Sequence, residues 1–132
     1  MKKNKKNARV SVKKVEPKFF GFKVVRKSEG KLISCSVKGL RVQYITDKFV
    51  GPRTWGGPLT LFKSLGRALV FKEEAMKHIN PDELRVYRCE YIPTIVDIGY
   101  RYMEGKMDMR PLSEMPEGTV LARKVKILKK VA

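Results

Sequence analysis

The sequence predicts an α+β domain in which a mostly antiparallel sheet of about five or six strands packs on one main helix, with basic N- and C-terminal arms. Three observations support this fold class. The 132 residues fit one domain of ordinary size. Several short runs rich in β-branched and aromatic residues alternate between apolar and polar positions. One segment, residues 65–79, carries apolar residues at the three- and four-residue spacing of a helix.

The first half of the chain predicts three strands and a loop. Phe20–Arg26 and Leu32–Val37 flank a turn that contains glycine, and together they predict a β-hairpin. Arg41–Thr46 alternates between two faces and predicts a third strand. Residues 47–58 hold five glycines and prolines around Trp55, so we expect a loop without regular structure there.

The next segment predicts a short strand at Leu59–Phe62 and then the helix. Ser64 is a suitable N-cap, the apolar stripe runs over Leu65–Ile79, and Asn80-Pro81 supplies the stop. The single histidine, His78, falls in the last turn of this predicted helix. Because the helix dipole favours an imidazole at that end, we expect a capping role for His78 and not a catalytic one.

The second half of the chain predicts further strands separated by one long loop. Leu84–Ile92 alternates strictly, as a half-buried strand would, and Ile95–Met103 predicts another strand. Residues Glu104–Gly118 are polar, rich in methionine and interrupted by two prolines, so we expect a long exposed loop. The last strand is predicted over Thr119–Leu128.

Charge is the strongest functional signal in the sequence. Thirty Lys and Arg face 13 Asp and Glu, which gives a net charge of +17 and implies a polyanionic partner. Much of the excess lies at the two ends, and this divides the chain into a basic N-terminal arm (1–18), a single α+β domain (19–122) and a basic C-terminal end that continues the last strand (123–132). The residues expected to contact phosphates are Lys2, Lys3, Lys5, Lys6, Arg9, Lys13, Lys14, Lys18, Arg123, Lys124, Lys126, Lys129 and Lys130.

Two aromatic residues are candidates for contacts with a partner. Phe19 lies in the run Lys18–Lys23, where aromatic residues alternate with cations, and its ring could stack on an unpaired base. Phe20 and Phe22 are expected to form one face of the first strand and to pack on the core. Trp55 lies in the loop rich in Gly and Pro, where it is either an exposed anchor for a partner or a ring folded over the sheet edge.

The sequence lacks the motifs of the common catalytic and metal sites. One histidine and two distant cysteines do not supply the ligand spacing of a zinc site, and the P-loop, GxGxxG, nucleophile-elbow and HExxH patterns are absent. We therefore expect no catalytic residue, no metal and no cofactor. Cys35 and Cys89 are expected to be buried small apolar residues of a protein in a reducing compartment.

Membrane and export signals are also missing from the printed sequence. No apolar region follows the basic start of the chain, and no later segment offers the roughly 20 consecutive apolar residues of a membrane-spanning helix. We expect a protein that is cytoplasmic or associated with a virion, that is not secreted, and that has no membrane partner.

Five short blocks of the sequence carry a resemblance: Gly21–Val25, Gly30–Ser34, Gly57–Leu65, Leu84–Glu90 and Gly118–Ala122. They resemble a small domain that recurs in uncharacterised proteins of bacteriophages, bacteria and large DNA viruses. The resemblance covers roughly residues 20–128 and implies no activity, because no function is assigned to that group. This chain departs from it in its heavily basic ends.

These observations lead to a ranked set of expected functions. The first is a small non-enzymatic basic protein that docks in a larger assembly and contacts nucleic acid through its terminal arms, by phosphates and without sequence preference. The second is a viral structural protein, a minor capsid or cement protein, whose arms bind acidic protein neighbours. The third and weakest is a module that binds a small anion through Trp55 and the glycine-rich loop beside it.

Overall fold

The computed structural model describes residues 17–35, 41–52, 57–103 and 106–132. This part of the chain contains nine strands and one α-helix. The helix, α1, spans Leu65–Ala75. The strands are β1 (Phe19–Ser28), β2 (Lys31–Ser34), β3 (Gln43–Tyr44), β4 (Phe49–Val50), β5 (Leu59–Phe62), β6 (Leu84–Pro93), β7 (Ile98–Met103), β8 (Lys106–Pro111) and β9 (Thr119–Lys130).

Four of the strands form a closed barrel. β1 pairs with β6, β6 with β9, β9 with β5, and β5 returns to β1 through the single pair Phe22 and Phe62, all antiparallel. β2 and β3 extend the sheet from β1, and β4 adds to β9. β9 is therefore paired along both edges, with β6 on one side and with β5 and β4 on the other.

The barrel closes where β1 passes very close to β5. A Cβ atom at Gly21 would lie 2.6 Å from Leu61 Cδ1 and 2.7 Å from the Phe62 carbonyl oxygen, so this approach requires glycine. Two register shifts in the β6–β9 ladder, at Arg88/Cys89 and Ile92/Pro93, bend the long strands around the barrel.

The residues that point into the barrel form the larger of two cores. They come from every strand of the ring and from β3, and the alternation of side chains along the strands, interrupted by the register shifts between β6 and β9, places them inside. Members with almost no exposed surface include Val25, Leu61, Cys89, Val125 and Ile127. Cys35 and Cys89 are both buried and form no disulfide, which confirms the predicted burial of the two side chains.

The second core lies between α1 and the outside of the barrel. Ala68 and Ala75 of α1 pack against Val24, Leu84 and Val86. Ser64 caps the helix by accepting a hydrogen bond from the Arg67 backbone N–H at 3.2 Å, which confirms the predicted N-cap.

The predicted fold class is wrong in its architecture. The sheet does not pack as a layer on one main helix. It closes on itself around its own core, and α1 covers only part of the outer surface. The basic C-terminal end continues the last strand β9 as far as Lys130, and pairing with β6 holds it in the barrel.

Three local predictions also need correction. The helix ends at Ala75 and not at Ile79, so His78 lies in the following turn, where it is exposed. Part of the predicted loop 104–118 is the strand β8, which pairs with β7 as a separate two-stranded sheet. The predicted loop 47–58 contains β4, because Phe49 and Val50 pair with Lys126 and Val125 of β9.

Candidate nucleic-acid interface

One part of the outer barrel surface is not covered by α1. Leu84, Val86, Arg88 and Glu90 alternate along the same face of β6. Leu84 and Val86 lie under the helix and are fully buried, whereas Arg88 is exposed and Glu90 is half-buried. The face is thus apolar beneath the helix and charged beyond it.

Strand register brings cations and aromatic rings together on this uncovered surface. Glu90 lies opposite Lys126, which in turn lies opposite Phe49 of β4. Directly opposed residues share one face of a sheet. We call the following group the basic outer face: Phe20, Phe49, Arg88, Glu90, Lys124, Lys126 and Lys129.

Two cation–aromatic contacts organise the basic outer face. The guanidinium carbon of Arg88 lies 4.3 Å from the centroid of the Phe20 ring, and Lys126 Nζ lies 4.7 Å from the centroid of Phe49. Lys126 Nζ also lies 3.4 Å from Glu90 Oε1. Glu90 therefore balances one cation, and the charges of Arg88, Lys124 and Lys129 are in excess on this face.

A shallow groove of about 370 Å³ runs beside the basic outer face, where β1 and β6 meet β4 and β9. We call it the aromatic groove. Phe19 and Tyr91 line it, with ring centroids 5.7 Å apart and planes tilted by 39°. Phe19 is 40% exposed and Phe49 is 38% exposed, so both rings present surface to the solvent. Its remaining lining residues are Pro17, Lys18, Glu90, Ile92, Pro93 and Arg123.

The structure brings several of the predicted site residues into this one region. Lys18, Phe19 and Arg123 line the aromatic groove, and Lys124, Lys126 and Lys129 belong to the basic outer face. Lys130 is exposed and lies opposite Tyr87. The other predicted residues lie outside the described part of the chain: Lys2, Lys3, Lys5, Lys6, Arg9, Lys13, Lys14 and Trp55.

Four residues of this region were not predicted from the sequence: Phe20, Phe49, Arg88 and Tyr91. The expectation that Phe20 packs on the core is wrong, because its side chain is 44% exposed and lies against Arg88. Phe22 does pack against the core beneath α1. The strict alternation of residues 84–92 was a usable signal for Arg88, which follows Val86 on one face. No comparable sequence pattern indicates that Phe49 and Tyr91 lie beside these cations, because their position depends on strand pairing.

A second polar feature lies inside the molecule at Lys23. This side chain is 6% exposed, donates a hydrogen bond to the Thr60 carbonyl oxygen at 2.5 Å and lies 5.6 Å from the centroid of Tyr44. Burial lowers the pKa of Lys23. The adjoining cavity of about 40 Å³ has room for one or two water molecules and is too small for a metabolite.

Among the described residues, we also considered the two cysteine thiols as nucleophiles and the acidic, His and Cys side chains as metal ligands. Burial raises the pKa of both Cys35 and Cys89 to about 11, which disfavours the nucleophilic thiolate. Within the described ranges, no cluster of three His, Cys, Asp or Glu residues could hold a metal ion. No helix in the same ranges is long and apolar enough to cross a membrane.

Comparison with family models, curated proteins and solved structures found no match to this chain. The resemblance to the viral and bacterial domain therefore stays a prediction.

Proposed function

We propose that this protein is a non-enzymatic nucleic-acid-binding protein that contacts phosphates through the basic outer face and its basic terminal residues, without base preference. The observation that carries the proposal is the uncompensated charge of Arg88, Lys124 and Lys129 on a sheet surface that no other described element covers. Such a surface attracts the polyanionic backbone and releases its condensed counterions on binding.

The position of the cations supports contact with a backbone. Lys124 and Lys126 lie on the same face of β9, and Lys129 lies opposite Arg88 on the neighbouring strand β6. Their charges thus form a continuous band across two strands of the barrel. A band of this kind suits an extended polyanion better than it suits a small anion, which needs convergent donors in a closed pocket.

The proposal is tested by binding of the full-length protein to DNA and RNA oligonucleotides over a series of salt concentrations. The variant Lys124→Ala/Lys129→Ala should lower the slope of log K against log salt by about 2 for duplex DNA, since each lost phosphate contact removes about 0.9. The matched control is Lys27→Ala/Lys31→Ala, which removes two exposed cations at the turn between β1 and β2.

A third variant addresses the N-terminal residues predicted from the sequence. Replacing Lys2, Lys3, Lys5 and Lys6 together by Ala should flatten the slope further without lowering the melting temperature. Equal slopes for the wild type and both site variants would contradict the proposal. Failure of the wild type to bind either polymer would also overturn the proposal. An acidic protein surface would then be the favoured partner.

A further inference from the structure

We propose that the aromatic groove receives unpaired bases, so that single-stranded nucleic acid is the preferred ligand of this surface. The inference rests on the proposed function, because it assumes that the neighbouring cations contact phosphates. It adds the class of nucleic acid and the residues that recognise it.

The aromatic residues that line the groove are partly exposed. Phe19 and Phe49 come from strands β1 and β4, which are distant in sequence, yet both rings lie at the same groove with more than a third of their surface exposed. Tyr91 supports Phe19 from one side at 5.7 Å. Phe19 is thus held in position while part of its ring remains accessible, which is the arrangement that stacking on a base requires.

Cations lie beside these rings. Lys18 and Arg123 line the same groove as Phe19. The carboxylate of Glu90 also lies at the groove, but it faces Lys126 Nζ at 3.4 Å, and this contact offsets its repulsion of a phosphate. A nucleotide placed here would meet an aromatic ring for its base and a cation for its phosphate.

A duplex makes poorer use of these rings than a single strand does. In a double helix the flat surfaces of the bases are already stacked on one another, so an aromatic side chain must first unstack them, at a cost of about a few kcal/mol per step, before it can contact them. Cations serve a duplex and a single strand alike. Rings and cations together at one groove therefore favour unpaired bases over paired ones.

The test uses fluorescence anisotropy with three labelled probes: a 20-nucleotide deoxythymidine strand, the same strand with abasic residues throughout, and a duplex of the same length. The wild type should bind the thymidine strand at least tenfold more tightly than the abasic strand. Phe19→Leu and Phe49→Leu should each weaken binding of the thymidine strand by about 5- to 100-fold, the range typical of one lost stacking contact. Phe19→Leu, which lies outside the basic outer face, should not change the binding of the abasic strand or of the duplex.

Two controls separate stacking from structural damage. Phe19→Tyr keeps a ring that can stack, so it should retain affinity for the thymidine strand. Thermal melting of each variant shows whether the loss of the Phe19–Tyr91 contact has unfolded the barrel. The slope of affinity against salt should stay unchanged in Phe19→Leu, because no cation is removed.

The outcomes distinguish this inference from the proposed function. Equal binding of all three probes with a steep salt dependence would overturn the inference about bases and leave the phosphate-directed function intact. Binding of none of the probes would overturn both. A preference for the thymidine strand that survives both leucine substitutions would exclude the aromatic groove as its source.

Discussion

Lys23 Nζ donates a hydrogen bond to the carbonyl oxygen of Thr60 at 2.5 Å, from a side chain that is 6% exposed. Within the described residues, the titratable groups whose charge acts on Lys23 are the buried thiols of Cys35 and Cys89, and no carboxylate is among them. Burial of an ammonium without a counter-ion disfavours the charged form, so the pKa of Lys23 is lowered by desolvation.

This buried lysine should make stability depend on pH. Between the lowered pKa and the ordinary value of 10.5, the unfolded chain binds a proton that the folded protein does not bind. The free energy of unfolding should therefore rise with pH in that window, by up to about 1.4 kcal/mol per pH unit. Urea unfolding of the wild type and of Lys23→Met at a series of pH values up to 10.5 measures the effect. The variant should show the flatter curve, and parallel curves would contradict the prediction.

The two buried thiols should react slowly in the folded protein. Because burial raises the pKa of Cys35 and Cys89 to about 11, only about one thiol in a thousand is ionised at pH 8. In a titration with a chromogenic disulfide reagent, both thiols should be unreactive in buffer and reactive in concentrated urea. Rapid reaction of either cysteine in buffer would show that its strand opens locally.

Because β1 and β5 approach each other closely at Gly21, a side chain at this position should destabilise the fold. In Gly21→Ala the new Cβ would meet Leu61 and the Phe62 carbonyl oxygen at under 3 Å, and the backbone contact cannot move aside. We expect a loss of about 1–3 kcal/mol in the free energy of unfolding.

Gly66 offers a matched control for this substitution. It lies in the first turn of α1, and the nearest atom to a Cβ there is Ser64 Oγ at 4.0 Å. Gly66→Ala should raise stability by up to about 1 kcal/mol, because alanine is the better helix former. Equal effects of the two substitutions in urea unfolding would show that the barrel does not close at Gly21.

Glu90 should restrain nucleic-acid binding, since it is the acidic member of the basic outer face and contacts Lys126. Glu90→Gln removes one negative charge and should tighten binding about two- to fivefold at low salt, with the gain fading as salt screens the charges. Glu74→Gln is the control, because Glu74 also pairs with a lysine, but it lies at the end of α1 and its partner Lys77 lies in the turn that follows. A gain of the same size in both variants would indicate a general effect of net charge and not an effect of this face.

The positions of most elements could be predicted from the sequence, whereas the closure of the sheet could not. Alternation in residues 84–92 shows which side chains share a face, but it does not show which strand edges pair. The barrel depends on one residue pair, Phe22 with Phe62, and on the missing side chain of Gly21. β8 was missed for a related reason: its polar, methionine-rich sequence has weak strand character, and pairing with β7 supplies its backbone hydrogen bonds.

The candidate site was predictable to a similar extent. The lysines of β9 were evident from composition, because a run of cations without an acid is visible in any reading of the chain. Among their aromatic neighbours, Phe19 was a candidate because it lies in a run where aromatic residues alternate with cations. Phe49 and Tyr91 were not, since they lie far from Phe19 in sequence and meet it through the pairing of four strands. The sequence pattern indicates that a surface is charged, but only strand pairing determines which residues lie beside those charges.

Strand β9 is hydrogen-bonded along both edges, and this gives its cations a fixed spacing. A strand rises about 3.3 Å per residue, so Lys124 and Lys126 are held about 7 Å apart and project from the same face. A lysine on an unstructured tail must lose conformational entropy of about 1–2 kcal/mol per residue when it settles on a ligand. The backbone of β9 is already ordered in the folded protein, so its lysines do not lose backbone entropy again on binding. The strand therefore favours polyanions whose charges repeat at about the same interval as its lysines.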